Sequence, residues 1–171
     1  MSVTHIVVHY SATYDDQEIT AADIDRMHKA RKPPFKMIGY HFFYRLNGME
    51  EVGRPLTMTG AHVGGQNKGK IGLCYAGGLK RETGAELGVN TLNLEQEKAL
   101  IKRIRILKAA HPNAVVCGHK DLAATQCPAF DVKDWWAKVE ASGYKTVFNK
   151  EAQTNPFAAF IALLLRLFGR K

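Results

Sequence analysis

Cysteine is scarce in this 171-residue chain, which carries only Cys74, Cys117 and Cys127. An odd, small set cannot close a disulfide framework, so folding under reducing conditions is expected. Acidic residues are also short, 16 Asp and Glu against 24 Lys and Arg, giving a formal net charge of +8 and a sequence pI near 9.5. That balance implies a polyanionic partner, and nucleic acid, an anionic lipid surface and an anionic wall polymer all satisfy it. Met1 to Tyr10 holds no basic stretch ahead of a long apolar run and no small-residue cleavage site, so synthesis in the cytoplasm without a secretory signal is expected. Long apolar runs are absent but for one, Phe157 to Phe168, broken only by Arg166. As a helix it reaches ~18 Å against a hydrocarbon core of ~30 Å, too short to span a bilayer upright. Repeats and low-complexity tracts are missing as well. With 46% hydrophobic and 23% charged residues, what remains is a single globular domain with a real core.

The order of patterns predicts an α/β fold, a central mixed β-sheet flanked by helices, with an added C-terminal apolar helix. Val3 to His9 is short, apolar and β-branched, a buried strand with His9 at its carboxyl end, where functional residues of α/β sheets gather. Thr20 with Asp23 starts a helix over about Ala21 to Lys32, stopped by Pro33 and Pro34. Gly39 to Leu46 and Met49 to Val52 flank Asn47-Gly48, the favoured two-residue hairpin turn. Gly60 to Gly69 is a glycine-dense loop holding His62, Gln66 and Asn67, and Ile71 to Ala76 is a strand. Leu94 to Ala110 is an amphipathic helix, Ala114 to Cys117 a strand, and Val132 to Ser142 a helix that Trp135 and Trp136 pack down.

His9 at a strand end, and His119 with Cys127 on one long loop, are residues that zinc accepts readily. Three protein ligands leave a fourth position for a water whose pKa falls to near ~7, the form of a catalytic centre. Each residue alone is more often structural.

Several blocks add weight: VVHYSAT at Val7 to Thr13, GYHFFY at Gly39 to Tyr44, GRP at Gly53 to Pro55, GAHVGGQN at Gly60 to Asn67, IGLCYAGG at Ile71 to Gly78, and GHKDLAATQCPAFDV at Gly118 to Val132. In their order and spacing they resemble the zinc-dependent N-acetylmuramoyl-L-alanine amidases, which include the phage T7-type lysozymes and the animal peptidoglycan recognition proteins. The resemblance extends from Val3 to about Trp136. It implies that His9, His119 and Cys127 hold Zn2+, that Tyr40 is catalytic beside the metal, and that His62 lines the substrate cleft. Tyr40 and His41 are expected on one strand with side chains on opposite faces, the phenol meeting the developing oxyanion.

Where T7-type enzymes have a lysine two residues before the cysteine ligand, this chain has Thr125, as the active animal proteins do. A hydroxyl donates a hydrogen bond there but brings no positive charge. Lys120, next to a ligand, is a candidate to compensate, set against its reading as a solvated lysine. His5, His28 and His111 read as surface or capping histidines, Cys74 and Cys117 as inert core thiols, and His41 as support behind the site.

The implied function is a peptidoglycan amidase of phage or prophage endolysin type, monomeric, acting on the cell wall after release. A non-catalytic peptidoglycan-binding module is the first alternative, weakened by the presence of Cys127. A basic nucleic-acid-binding protein is the second, and no recognised motif supports it. Residues 1–148 form the expected catalytic domain and residues 149–171 a linker and apolar-basic helix. That helix carries Phe157, Phe160, Ile161, Leu164, Leu165 and Phe168 on one face and Arg166, Arg170 and Lys171 at its end, suited to an anionic membrane or to docking on the domain.

Overall fold

The computed structural model describes residues 2–82 and 88–145. The expected C-terminal helix and the expected boundary at 148/149 lie outside the described residues. In chain order the elements are β1 (His5–Tyr10), β2 (Thr13–Tyr14), α1 (Ala21–Lys29), β3 (Phe42–Tyr44), β4 (Glu50–Val52), β5 (Lys70–Tyr75), β6 (Gly78–Leu79), α2 (Leu94–Ala110), β7 (Val115–Gly118) and α3 (Val132–Ala141), with a single 3-10 turn at His119–Asp121 before α3. Five strands form a mixed sheet in the order β4-β3-β5-β1-β7, and β2 pairs with β6 beside it. Only β4 runs antiparallel to its neighbour, closing the hairpin at Asn47-Gly48, where Gly48 takes a φ of 78° that other residues reach at a cost. The α/β class with a mixed sheet is therefore as expected.

Alternation along β1 builds two layers on one sheet. Ile6 and Val8 enter the larger core with Leu100, Ile104, Leu107, Trp135 and Val139 of α2 and α3. Val7 faces the other way, toward Val63 and Cys117, and His9 shares that direction by its spacing. A third cluster joins Ile24 of α1 to Ile38, Phe43 and Cys74. Fully burying each large aliphatic or aromatic side chain contributes about 1.5–3 kcal/mol, and Trp135 adds a hydrogen bond from its indole N–H to Glu97 at 2.8 Å.

Helix starts follow local chemistry. Thr20 and Asp23 form the expected capping box on α1, and Asn93 with Gln96 forms another on α2. The end of α1 departs from expectation, since the helix stops at Lys29 rather than Lys32. Lys32 precedes Pro33 and is driven from helical backbone angles, and the chain folds back so that the Phe35 N–H donates to the His28 carbonyl. Tyr40 and His41 also differ from expectation by lying just ahead of β3 rather than within it. Their backbone bonds go to separate partners, His41 N–H to the Gly72 carbonyl and Arg54 N–H to the Tyr40 carbonyl.

Candidate metal centre and active-site cleft

His9 reaches the site from the carboxyl end of β1, in register with Cys74 of β5. His119 opens the 3-10 turn that follows β7, and the carboxylate of Asp121 holds that turn by accepting the Gly118 N–H at 2.8 Å. Cys127 is brought back over the turn by its carbonyl, which accepts the Lys120 N–H at 2.7 Å. Gly118 has no room for a side chain, because a Cβ there would meet Cδ of Pro128 at 2.7 Å. Thus the loop carrying Cys127 can lie directly against the end of β7.

The result is a compact donor set. One ligand atom from each of His9, His119 and Cys127 lies within 4.8 Å of the others. His9 Nδ1 stands 3.7 Å from Cys127 Sγ, while His9 Nε2 stands 3.0 Å from Nδ1 of His62. If Nδ1 of His9 offers its lone pair to a metal, the ring proton sits on Nε2 and is donated to His62. The remaining proton of His62 then lies on Nε2, 3.4 Å from the Lys70 carbonyl that accepts it. Two imidazoles and a backbone carbonyl form one consistent relay. Burial, with His62 and His119 nearby, lowers the pKa of His9 well below its ordinary value, and burial with His41 nearby lowers that of His62 to about 3. Both rings are neutral at pH 7, the state a ligand and its support require.

Burial pushes the Cys127 thiol up to about 12, against a backbone N–H of Tyr10 that donates toward its sulfur at 3.4 Å. A cation held by the two imidazoles is the natural compensation for a thiolate here. The borderline-soft N, N, S set fits zinc, and His119 and Cys127 of that set line the adjoining cleft.

That cleft has two connected parts of about 460 and 360 Å³, both lined by His28, Arg31, Tyr40 and His119. Thr125 and Cys127 lie on the first part, His62 and Asn67 on the second. The ring of Tyr40 is 5.1 Å from that of His9. Its ring packs against the cluster that holds Cys74, and burial, with the Cys74 and Cys127 thiols nearby, keeps its pKa well above the ordinary value, so it is a protonated donor. Thr125 Oγ1 accepts the Cys127 N–H at 3.3 Å, which leaves its own O–H free to turn toward the cleft. His62 is nearly buried and meets the cleft with little surface, so its principal contact is His9.

Other residues fall as follows. Lys120 is exposed and is not among the cleft-lining residues, in keeping with a solvated lysine. His111 caps α2, and Cys74 and Cys117 are buried. His28 departs from a surface or capping role: its Nδ1 accepts the Gly39 N–H at 3.0 Å and its ring lies 5.3 Å from Tyr40, on the wall of the cleft. Its four-residue step from buried Ile24 was the available signal. Arg31 on the same wall, and Cys74 under the Tyr40 phenol, carried no comparable signal. The GRP and GAHVGGQN blocks have structural duties. Arg54 donates to the carbonyls of Met37, Ile38 and Thr59, tying together the segments that flank Tyr40, while Asn67 Oδ1 accepts the N–H groups of His62 and Val63 at 2.8 Å each.

Known proteins are similar to this chain in sequence and in fold. The family model described as N-acetylmuramoyl-L-alanine amidase matches residues 1–130. The endolysin of Klebsiella phage KP32 is 33% identical over 137 residues, covering 80% of this chain and 87% of that protein. The endolysin of Escherichia phage T7 is 32% identical over 139 residues, covering 81% and 89%. Among solved structures, the N-acetylmuramoyl-L-alanine amidase LysC from Clostridium intestinale aligns with a TM-score of 0.63 at 26% identity, over 83% of this chain and 85% of that one. The coverage and identity place the matched region across the whole described sheet and the cleft, and the chain belongs to the N-acetylmuramoyl-L-alanine amidase family.

Proposed function

We propose that this protein is an endolysin-type peptidoglycan amidase that hydrolyses the amide between the lactyl group of N-acetylmuramic acid and L-alanine, using zinc held by His9, His119 and Cys127. The observation that carries the reading is the convergence of those three ligand atoms within 4.8 Å of one another at a cleft. Zinc held there supplies Lewis acidity toward the scissile carbonyl and a nucleophile at neutral pH by acidifying water.

The chain's own residues divide the remaining work. His62 fixes the ring of His9 by accepting its Nε2 proton, and the Lys70 carbonyl fixes His62 in turn. Tyr40, protonated at all physiological pH values, donates its O–H to the oxygen on which negative charge develops. Thr125 presents a second neutral hydroxyl from the opposite loop. Arg31, exposed on the shared wall, offers a guanidinium to carboxylates of the stem peptide. Acting on a wall polymer after release from the cell accords with the endolysins that the chain resembles, and the basic tail accords with contact to an anionic membrane.

The test is chemical identification of the ends produced from purified peptidoglycan. New L-alanine amino groups, without new reducing sugars, are expected. Reducing ends alone would mean cleavage of the glycan and would overturn the amidase assignment.

A further inference from the structure

The side of the molecule opposite the cleft has its own surface chemistry. Because Ile6 and Val8 point toward α2 and α3 while the site lies on the other side of β1, the solvent face of α2 looks away from the active site. On that face Lys98, Lys102 and Arg105 border an open groove of about 540 Å³ together with Ile106 and Tyr144. The last two remain substantially exposed, at 49% and 41%. Arg105 stacks over the Tyr144 ring at 4.4 Å. Among the described residues, Lys102 makes no ion pair and no acidic residue lines the groove, while Glu95 and Glu50 pair with Lys98 and Arg103.

We propose that this face of α2, with Tyr144, seats the protein on an anionic phospholipid surface and turns the active cleft away from it, toward the wall. Two features select a lipid surface among polyanions. Cations alone would serve any phosphate, but an exposed isoleucine and tyrosine set between them match the headgroup boundary, where an apolar side chain is buried while its neighbours meet phosphates. A nucleic-acid or wall-polymer backbone leaves Ile106 unused. In the sequence, Tyr144 is followed within thirty residues by the apolar segment Phe157 to Phe168 and the cations Arg166, Arg170 and Lys171. Beyond Lys145 the only acidic residue is Glu151. Like charge therefore disfavours the tail as the occupant of the groove and favours a shared anionic partner for both.

The 171-residue protein should co-sediment with vesicles of phosphatidylcholine containing phosphatidylglycerol, and far less with phosphatidylcholine alone. The variant Lys98→Gln, Lys102→Gln, Arg105→Gln keeps the helix and the tail and should keep the wild-type thermal midpoint. Each charge near such a surface is worth about fivefold in affinity, so the triple variant should bind on the order of a hundredfold more weakly at low ionic strength. Orientation is read with an environment-sensitive probe on Ile106→Cys or on Gly64→Cys, a cleft position where an added Cβ meets no atom within 4 Å. The three native thiols are buried. A blue shift on adding vesicles is expected at position 106 and not at 64. Binding by the triple variant within twofold of wild type would overturn the proposal. So would equal binding to neutral vesicles, a shift at 64 alone, or a probe at 106 already shifted without lipid, which would mean that the tail fills the groove.

Discussion

Replacing His62 by Ala tests whether this histidine works mainly through His9. The substitution removes the acceptor 3.0 Å from His9 Nε2, at a ring only 1% exposed. A buried donor left without a partner costs about 1–3 kcal/mol. For a chain of this size that corresponds to roughly 2–4 °C per kcal/mol, so the melting temperature of the metal-free protein should fall by roughly 2–12 °C. Zinc affinity should fall by about 10- to 100-fold, the usual effect of losing the group that orients a ligating imidazole. His62→Asn is the discriminating companion. Its Oδ1 branches from Cγ as the histidine Nδ1 does, so it can accept the same proton, and most of the zinc affinity should return even though the bond to the Lys70 carbonyl is lost. Competition with a chromophoric chelator gives the affinities, and circular dichroism the melting temperatures. Zinc affinity in the Ala variant within twofold of wild type would refute the relay. An Asn variant as weak as Ala would show that ring packing, rather than the accepted proton, positions His9.

Cys127→Ser should lose zinc and at least about 100-fold in hydrolysis, because a hydroxyl does not ionise as a thiol does; zinc content equal to wild type would remove Cys127 from the ligand set. Tyr40→Phe should retain zinc while its rate falls by about 10- to 1000-fold, and a wild-type rate would assign the ring to packing alone. Thr125→Lys should leave hydrolysis measurable, whereas complete loss with zinc retained would show that the cleft is built around the neutral hydroxyl. Burial holds the pKa values of His28 and His41 below the ordinary imidazole value. Above that value both states are neutral, and as pH falls below it the unfolded chain takes up protons first. The urea midpoint of the metal-free protein should therefore drop between pH 7 and pH 5, and a constant midpoint would contradict neutral burial of these rings.

Much of this protein was legible locally. The cap residues Thr20 and Asp23, the Asn47-Gly48 turn and the apolar face of Leu94 to Ala110 act over a few residues, so the sequence reading located those elements closely. The strand before His9 was legible because β-branched apolar residues fit a buried pleat. The candidate ligands were legible through spacing and family resemblance rather than through any local rule. Nothing in the sequence could orient them. That His9 turns Nδ1 to Cys127 and Nε2 to His62 depends on strands β1 and β5 lying side by side and on the loop fixed by Asn67, contacts across 118 and 53 positions of chain. The same holds for Cys74 under Tyr40, for His28 on the cleft wall, and for the early end of α1, where proline sterics set the stop and the return to His28 set the path. Short-range periodicity and caps fix which residues share an element and a face, because those preferences act through adjacent backbone. Which atoms meet at a site is decided by sheet order and loop closure, because only these bring distant residues within hydrogen-bonding range.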